Sequence, residues 1–341
     1  MSAFDPNAAA QPGSGVFGLP HDEANAGVVL VQVPFDATTS YRRGTALGPE
    51  AIVEASKQVD LFDRETGRPY EAGIVAIEPD PRVAAWNDEA RALADPIIAA
   101  GGAGDDPALL EALAKVNALS ASVDGLVEAT VERWLNEGKL VGLIGGDHST
   151  PLGAIVAHAR RAPGLGVLHV DAHADLRDAY EGFTCSHASI MFNVLRRCPG
   201  VSRLVQVGVR DFGEGELEVQ RREGDRVHCH FDADLARAKL EGATWASLVE
   251  PMVAALPKDV YVSFDIDGLD PSLCPNTGTP VPGGLSFHEA CYLLSAIVRS
   301  GRRIVGFDLN EVAPGEDEWD ANVGARLLYK MIGFALASRR A

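Results

Sequence analysis

Six short apolar runs recur along the chain, at residues 28–33, 141–144, 167–170, 204–209, 260–264 and 304–309. They are rich in Val, Ile and Leu, and most lack the polar alternation of a strand with one wet face. They therefore read as strands buried on both sides. Between them, residues 123–137, 188–197, 246–256 and 287–299 carry apolar positions at helical spacing. Strands alternating with amphipathic helices predict an α/β fold: a single three-layer α/β/α domain with a mainly parallel sheet. Local signals sharpen some boundaries. Pro151, after Ser149-Thr150, suits a first helical position, and Ser286-Phe287-His288-Glu289 has the form of a capping box. The Ala/Gly/Asp-rich residues 99–107 read as a surface loop between two helices, an insertion and not a domain linker. No internal repeat or composition break marks a second domain. The expected organisation is an N-terminal extension, 1–25, followed by one domain, 26–341.

Composition narrows the partners. With 341 residues and 46% hydrophobic content the chain can bury a large core. Thirty Lys and Arg against forty-eight Asp and Glu give a net charge of -18, which disfavours nucleic acid and anionic membrane surfaces and attracts small cations. The first residues lack the basic and apolar regions of a secretory signal, and no apolar run is long enough to span a bilayer, so a cytoplasmic location is expected. Cys185, Cys198, Cys229, Cys274 and Cys291 are scattered and odd in number, with no C-x-x-C pair, so reduced structural thiols are expected.

Four polar clusters carry the chemistry: Gly145-Gly146-Asp147-His148-Ser149, Asp171-Ala172-His173-Ala174-Asp175, Asp265-Ile266-Asp267 and Asn310-Glu311. Each follows one of the apolar runs, and ligand crevices in open parallel sheets lie outside the carboxyl ends of strands. In an extended segment residues i and i+2 share a side, so Asp171, His173 and Asp175 can converge, as can Asp265 and Asp267. Carboxylates and imidazoles in this number suit two divalent cations, with carboxylates bridging them. A lone D-x-H or D-x-D is weak evidence. G-G-D-H-S, D-A-H-A-D and S-F-D-I-D-G-L-D-P together, in order and each after a buried strand, point to a two-metal hydrolytic centre.

With these motifs the chain resembles the ureohydrolase family, which includes arginase, agmatinase, guanidinobutyrase and formimidoylglutamase. The likeness runs from about Val28 to the C-terminus and extends to Gly44-Thr45, Gly48-Pro49 and Ile52. It implies an arginase-like fold and two divalent metal ions per subunit, manganese by default with nickel as an alternative. By this resemblance one metal is held by His148, Asp171, Asp175 and Asp265, and the other by Asp171, His173, Asp265 and Asp267. Glu311 matches the acid that grips the substrate's guanidinium. Asp175 is implied in proton transfer, and His187 resembles a histidine that agmatinases carry after D-x-H-x-D, a candidate to bind substrate and relay a proton to the departing amine. A homo-oligomer, trimer or hexamer, is also implied.

For the substrate, the resemblance favours a small cationic guanidino compound cleaved to urea and an amine. Leu176-Arg177-Asp178 and Phe212-Gly213 lack the features by which arginases read an amino-acid head group, which favours agmatinase-type chemistry. Tyr180 and Glu181 are candidate substrate contacts, and Asp178 with Glu181 could receive a distal ammonium. The opening Phe4-Asp5-Pro6-Asn7, Asn310 and the Trp319 loop resemble a branch that includes hydrolases of free guanidine and of substituted guanidines or biguanides, some using nickel. Trp319 or Phe183 could close a pocket of that kind. A formimidoylglutamase reading rests on Arg177 or Arg210 meeting carboxylates. A different class, a catalytically silent partner subunit, is opposed by the intact ligand set. His169 is expected to support the ligands, not to join them, and Cys185 to pack.

Overall fold

The computed structural model describes residues 4–11 and 13–340. The tip of the expected N-terminal extension and the last residue of the expected domain lie outside the described residues. The first half contains β1 (Val28–Val33), α1 (Gly48–Ala55), β2 (Ile74–Ile77), α2 (Pro81–Ala99), α3 (Pro107–Asn136), β3 (Leu140–Gly145), α4 (Leu152–Arg161) and β4 (Gly166–Val170). There follow α5 (Ile190–Arg197), β5 (Arg203–Val209), α6 (Glu214–Glu223), β6 (Val227–Phe231), α7 (Asp232–Leu240) and α8 (Trp245–Ala255). The chain ends with β7 (Asp259–Asp265), α9 (Phe287–Arg299), β8 (Arg303–Asn310) and α10 (Trp319–Ser338).

The eight strands form one sheet in the order β2-β1-β3-β8-β7-β4-β5-β6, and every pairing is parallel. Side chains alternate between two separate cores. Val28 and Leu30 enter one core, while Val29, Val31 and Val33 enter the other; β7 likewise sends Val260, Val262 and Phe264 to the first and Tyr261 to the second. The strand interiors are apolar on both sides because helices cover both faces, as the uninterrupted runs predicted.

Helix starts follow their caps. Ser286 and Glu289 make the predicted reciprocal capping box of α9. Asp106 caps α3 by accepting from Ala108 N at 2.8 Å. Two boundaries differ from expectation. Pro151 precedes the first residue of α4 by one position. The helix expected at 123–137 begins at Pro107 and runs for 30 residues. The loop expected at 99–107 does connect two helices, α2 and α3.

The four central strands, β3, β8, β7 and β4, are neighbours in the sheet. The four polar clusters emerge from their carboxyl ends. The G-G-D-H-S turn can fold back on the sheet only because Gly146 lacks a side chain: a Cβ there would stand 2.1 Å from the Phe35 carbonyl oxygen.

Candidate metal centre

His148 follows β3, and its Nδ1 lies 2.9 Å from Asp171 Oδ2, 3.2 Å from Asp265 Oδ2 and 3.5 Å from Asp175 Oδ2. His173 Nδ1 lies 3.0 Å from Asp267 Oδ2 and 3.3 Å from Asp171 Oδ1. Side chains from three strand ends thus gather into two adjoining groups that share Asp171, one of His148, His169, Asp171 and Asp175 and the other of Asp171, His173 and Asp267, with Asp265 3.2 Å from His148. All are buried except the half-buried His173.

The electrostatics of this cluster ask for cations. Burial pushes the Asp175 carboxyl well above its usual range, and the neighbouring Asp171 charge pushes it further. Asp265 is raised in the same way, by burial and then by Asp267 and Asp171. Four carboxylates so close, with no Lys or Arg among them, are costly unless positive charge lies between them. Ligand atoms within reach of one another, carboxylate oxygens with two imidazoles in one group and one in the other, fit a pair of divalent metals.

Outer hydrogen bonds aim the ligands. His148 Nε2 faces Ser263 Oγ at 2.9 Å, and that hydroxyl donates to Asp308 Oδ1 at 2.9 Å. The Nε2 proton is thereby spoken for, and Nδ1 is the nitrogen that would face a cation in the cluster. His169, expected from the sequence to support the ligands, stands within the His148 group itself. The Gln206 amide donates to Ala174 O at 2.7 Å, which fixes its orientation, and the same nitrogen reaches His169 Nδ1 at 3.0 Å. His169 Nε2 therefore carries the proton and donates it to Asp171 Oδ2 at 2.8 Å. Neither Ser263, Asp308 nor Gln206 has a local sequence signal that would have singled it out.

Glu311 stands at the end of β8 in a left-handed conformation, φ 63°. Its Oε1 accepts from His148 N at 2.9 Å, while Oε2 is buried without a hydrogen-bond partner among the described residues. Burial raises this carboxyl well above its usual range, with Asp265 and Asp147 adding to the effect. Asp175 shares the positive φ, at 54°. Glu181 is the third predicted position with positive φ, at 52°, and lies in a turn; at Asp175 and Glu311 the left-handed backbone is local strain that a site imposes on its frame.

Above the cluster opens a cleft of about 150 Å³, whose lining includes His173, Asp175, Arg177, Tyr180, His187 and Asp211. Of the predicted substrate contacts, Tyr180 and His187 line it. Their rings meet edge to face, centroids 6.0 Å apart. Burial pushes His187 down to about 4, so the ring is neutral at pH 7, and its buried Nδ1 has no partner among the described residues. A proton relay through it would begin from the neutral form.

Glu311, Glu181 and Trp319 are not among the cleft's lining residues, Glu311 being buried beside His148. Glu181 sits in a turn beside the cleft wall, and Trp319 begins α10, 45% exposed, with its indole N–H donating to Ser272 O at 2.9 Å. Phe183 is fully buried in the core and Asp178 is exposed outside the lining. Arg210 is committed elsewhere: its guanidinium donates to the carbonyls of Gly208, Asp267, Leu269 and Val281, pinning the loops beneath Asp267. It therefore cannot serve the carboxylate-reading role considered for it. Cys185 packs as expected, its Sγ 3.7 Å from Asp124 Oδ2 and its thiol pushed up to about 12 by burial. Asp211 lines the cleft with an exposed carboxylate that makes no ion pair among the described residues, a role its place in the sequence does not suggest.

A family model described as the Arginase family matches residues 26–333. The chain belongs to the arginase family. It is 36% identical over 322 residues to N(1)-aminopropylagmatine ureohydrolase of Thermus thermophilus, covering 93% of this chain and 94% of that protein. It is 30% identical over 330 residues to guanidinobutyrase of Pseudomonas aeruginosa, covering 92% and 89%. Among solved structures, proclavaminate amidinohydrolase of Streptomyces clavuligerus superposes with a TM-score of 0.74 at 23% identity, over 97% of this chain and 99% of that one, a likeness in fold.

Proposed function

We propose that this member of the arginase family hydrolyses a guanidino compound whose far end carries an amine, releasing urea and that amine in the manner of an agmatinase. The observation that carries this reading is the buried, unpartnered Oε2 of Glu311 beside the two groups of carboxylates around His148 and His173. An acceptor of that kind suits a planar cation with paired N–H donors, and a guanidinium is one. The names of the relatives point the same way, two of them being an aminopropylagmatine ureohydrolase and an agmatinase. The free Asp211 carboxylate on the cleft wall supports a distal ammonium, while Arg177 on the same wall is paired with Glu216 at 3.4 Å.

The chain's own residues divide the work. His148, Asp171, Asp175 and Asp265 would hold one metal, and Asp171, His173, Asp265 and Asp267 the other. When bound, the metal pair supplies a water acidic enough to act as a nucleophile near neutral pH. Glu311 holds the guanidinium so that its carbon faces that water. Asp175 would take the proton the water releases and deliver it to the departing nitrogen. The C–N bond to the substituted nitrogen breaks, and one water has been consumed. His187, neutral, accepts a hydrogen bond from the substrate.

Manganese is the proposed occupant, with nickel the alternative, since the donor set suits both. Family membership supports the further proposal of a homo-oligomer, trimer or hexamer, working in the cytoplasm. The test is urea release from agmatine, N(1)-aminopropylagmatine and free guanidine, with enzyme reconstituted separately in manganese and in nickel. Turnover of an amine-tailed substrate that chelation abolishes is the expected result. Turnover of free guanidine alone would overturn the amine-tailed reading, and metal-replete protein silent on all three would overturn guanidino hydrolysis by this chain alone.

A further inference from the structure

The stretch that carries Tyr180 and His187 is held from outside the site by helix α3. Residues 180–183 close a two-residue turn: Phe183 N donates to Tyr180 O at 2.8 Å, Tyr180 N donates to Phe183 O at 3.1 Å, and Glu181 and Gly182 have φ of 52° and 92°. Both positive angles mark a type I′ turn. Phe183 roots one end of it in the core. The outer backbone groups of this turn are then taken by one side chain. Asn117 Nδ2 donates to Gly182 O at 3.2 Å, and Asn117 Oδ1 accepts from Thr184 N at 3.0 Å.

One face of α3 follows the loop in step. Leu113, four residues before Asn117, presses on Gly182 so closely that a Cβ there would lie 2.6 Å from Leu113 Cδ2. Asp124, seven residues after Asn117, faces Cys185 Sγ at 3.7 Å and accepts from Arg197 Nη1 at 2.8 Å. From α5, Asn193 Nδ2 donates to Thr184 O at 2.8 Å. Positions four and seven residues apart share a helix face. The contact is therefore a register between a 30-residue helix and a substrate loop.

We propose that α3 sets the substrate range of the cleft, with Asn117 as the positioning residue that fixes where Tyr180 and His187 stand. Neither aromatic ring has a side-chain hydrogen bond of its own among the described residues. Tyr180, in the turn, lies under the Arg177 guanidinium at 5.0 Å and against His187, whose short helix follows Thr184. Asn117 satisfies two backbone groups of the connecting stretch at once. The guanidinium end is read separately by Glu311, which is anchored to His148. Loosening the turn should therefore blur recognition of the substrate's tail and leave recognition of its guanidinium intact. The inference rests on the guanidino-hydrolase reading above.

The experiment compares wild type with Asn117→Ala, Asn117→Leu and Asn117→Asp, the last keeping the acceptor for Thr184 N. Hydrogen–deuterium exchange over residues 178–186 reads the clamp with no substrate. KM for agmatine and the competitive inhibition constant of guanidine read tail and head. In Asn117→Ala and Asn117→Leu, exchange should quicken in that segment alone, and KM for agmatine should rise about tenfold while the guanidine constant moves less than about twofold. Asn117→Asp should fall between. Unchanged exchange overturns the clamp, whatever the substrate is. Quickened exchange with an unchanged agmatine KM, or equal weakening of agmatine and guanidine, overturns control of the substrate range. Wild type silent on every guanidino compound sinks the functional reading and the range claim with it, and exchange still decides the clamp.

Discussion

Glu311 Oε1 accepts the backbone N–H of His148 at 2.9 Å, tying the acid at the end of β8 to the main chain of a proposed metal ligand after β3. One oxygen is thereby fixed and the other, Oε2, is left for a ligand. Glu311→Gln can keep the acceptor toward His148 N but loses the charge that faces a guanidinium. Charge-assisted hydrogen bonds are about twice as strong as neutral ones, and their loss in a water-poor site costs roughly 10²- to 10³-fold in kcat/KM. Elemental analysis should show metal content unchanged. Wild-type kcat/KM in Glu311→Gln would remove Glu311 from substrate binding.

Ser263 stands between His148 Nε2 and Asp308, 2.9 Å from each. Ser263→Ala would leave a buried N–H facing a methyl group and free the ring to turn. Partners of this kind tune ligand basicity and orientation, and their removal typically lowers metal affinity about 10- to 100-fold. The loss should appear in a competition titration against a chromogenic chelator. Activity at saturating metal should recover most of its wild-type value. If affinity held and activity alone collapsed, Ser263 would belong to the substrate side of the site.

The amount of this legible in the sequence follows a physical rule. The strands expected at 28–33, 141–144, 167–170, 204–209, 260–264 and 304–309 all exist, within a residue or so, because burial on both faces writes itself into a continuous apolar run. The clusters at 148, 171–175, 265–267 and 311 could be read because they sit at ends of those strands. β2 leaves a fainter mark: it is an edge strand of four residues, only partly buried. The first half of α3 is rich in alanine and weak in polar contrast, so only its later turns stand out. Ser263, Gln206 and Asn117 act across separations of 115, 37 and 65–67 residues, which leave no local spacing to detect. Trp319 shows the converse. Its closeness in sequence to Glu311 suggests the cleft, but the start of α10 turns its indole toward Ser272.

His187 is held neutral at pH 7, pushed down to about 4 chiefly by burial and further by the nearby His173. A lowered imidazole cannot act as the acid limb of a neutral pH–rate profile. The logarithm of kcat/KM for wild type should therefore show no His187-dependent ionisation between about pH 5.5 and 7.5. His187→Ala should lower kcat/KM roughly tenfold through loss of one substrate hydrogen bond and leave the shape of the profile in that range unchanged. A limb near pH 6.5 that vanishes in the variant would reinstate His187 as a titrating relay.

The last expectation concerns stability, far from the cleft. His158 is 3% exposed, donates from Nδ1 to Ala154 O at 2.8 Å and packs edge-on against Tyr261, centroids 5.0 Å apart. Its Nε2 presses on the bare backbone of Gly306, where a Cβ would lie only 2.2 Å away. Burial, with Arg339 and Arg161 nearby, pushes the ring down to about 4 from 6.5. The unfolded chain therefore takes up a proton at higher pH than the folded one does. Between these two values the unfolded state binds more protons, so the neutral ring's contribution to stability is complete above 6.5 and is lost as pH falls toward 4. The loss from this one group is on the order of 3 kcal/mol. His158→Gln removes the titration. Denaturant midpoints for both proteins at several pH values should therefore converge as pH falls, the variant being the less stable at about pH 7.5 because of its altered packing and losing less on acidification. Parallel curves would mean that the folded protein protonates His158 as readily as the unfolded chain does.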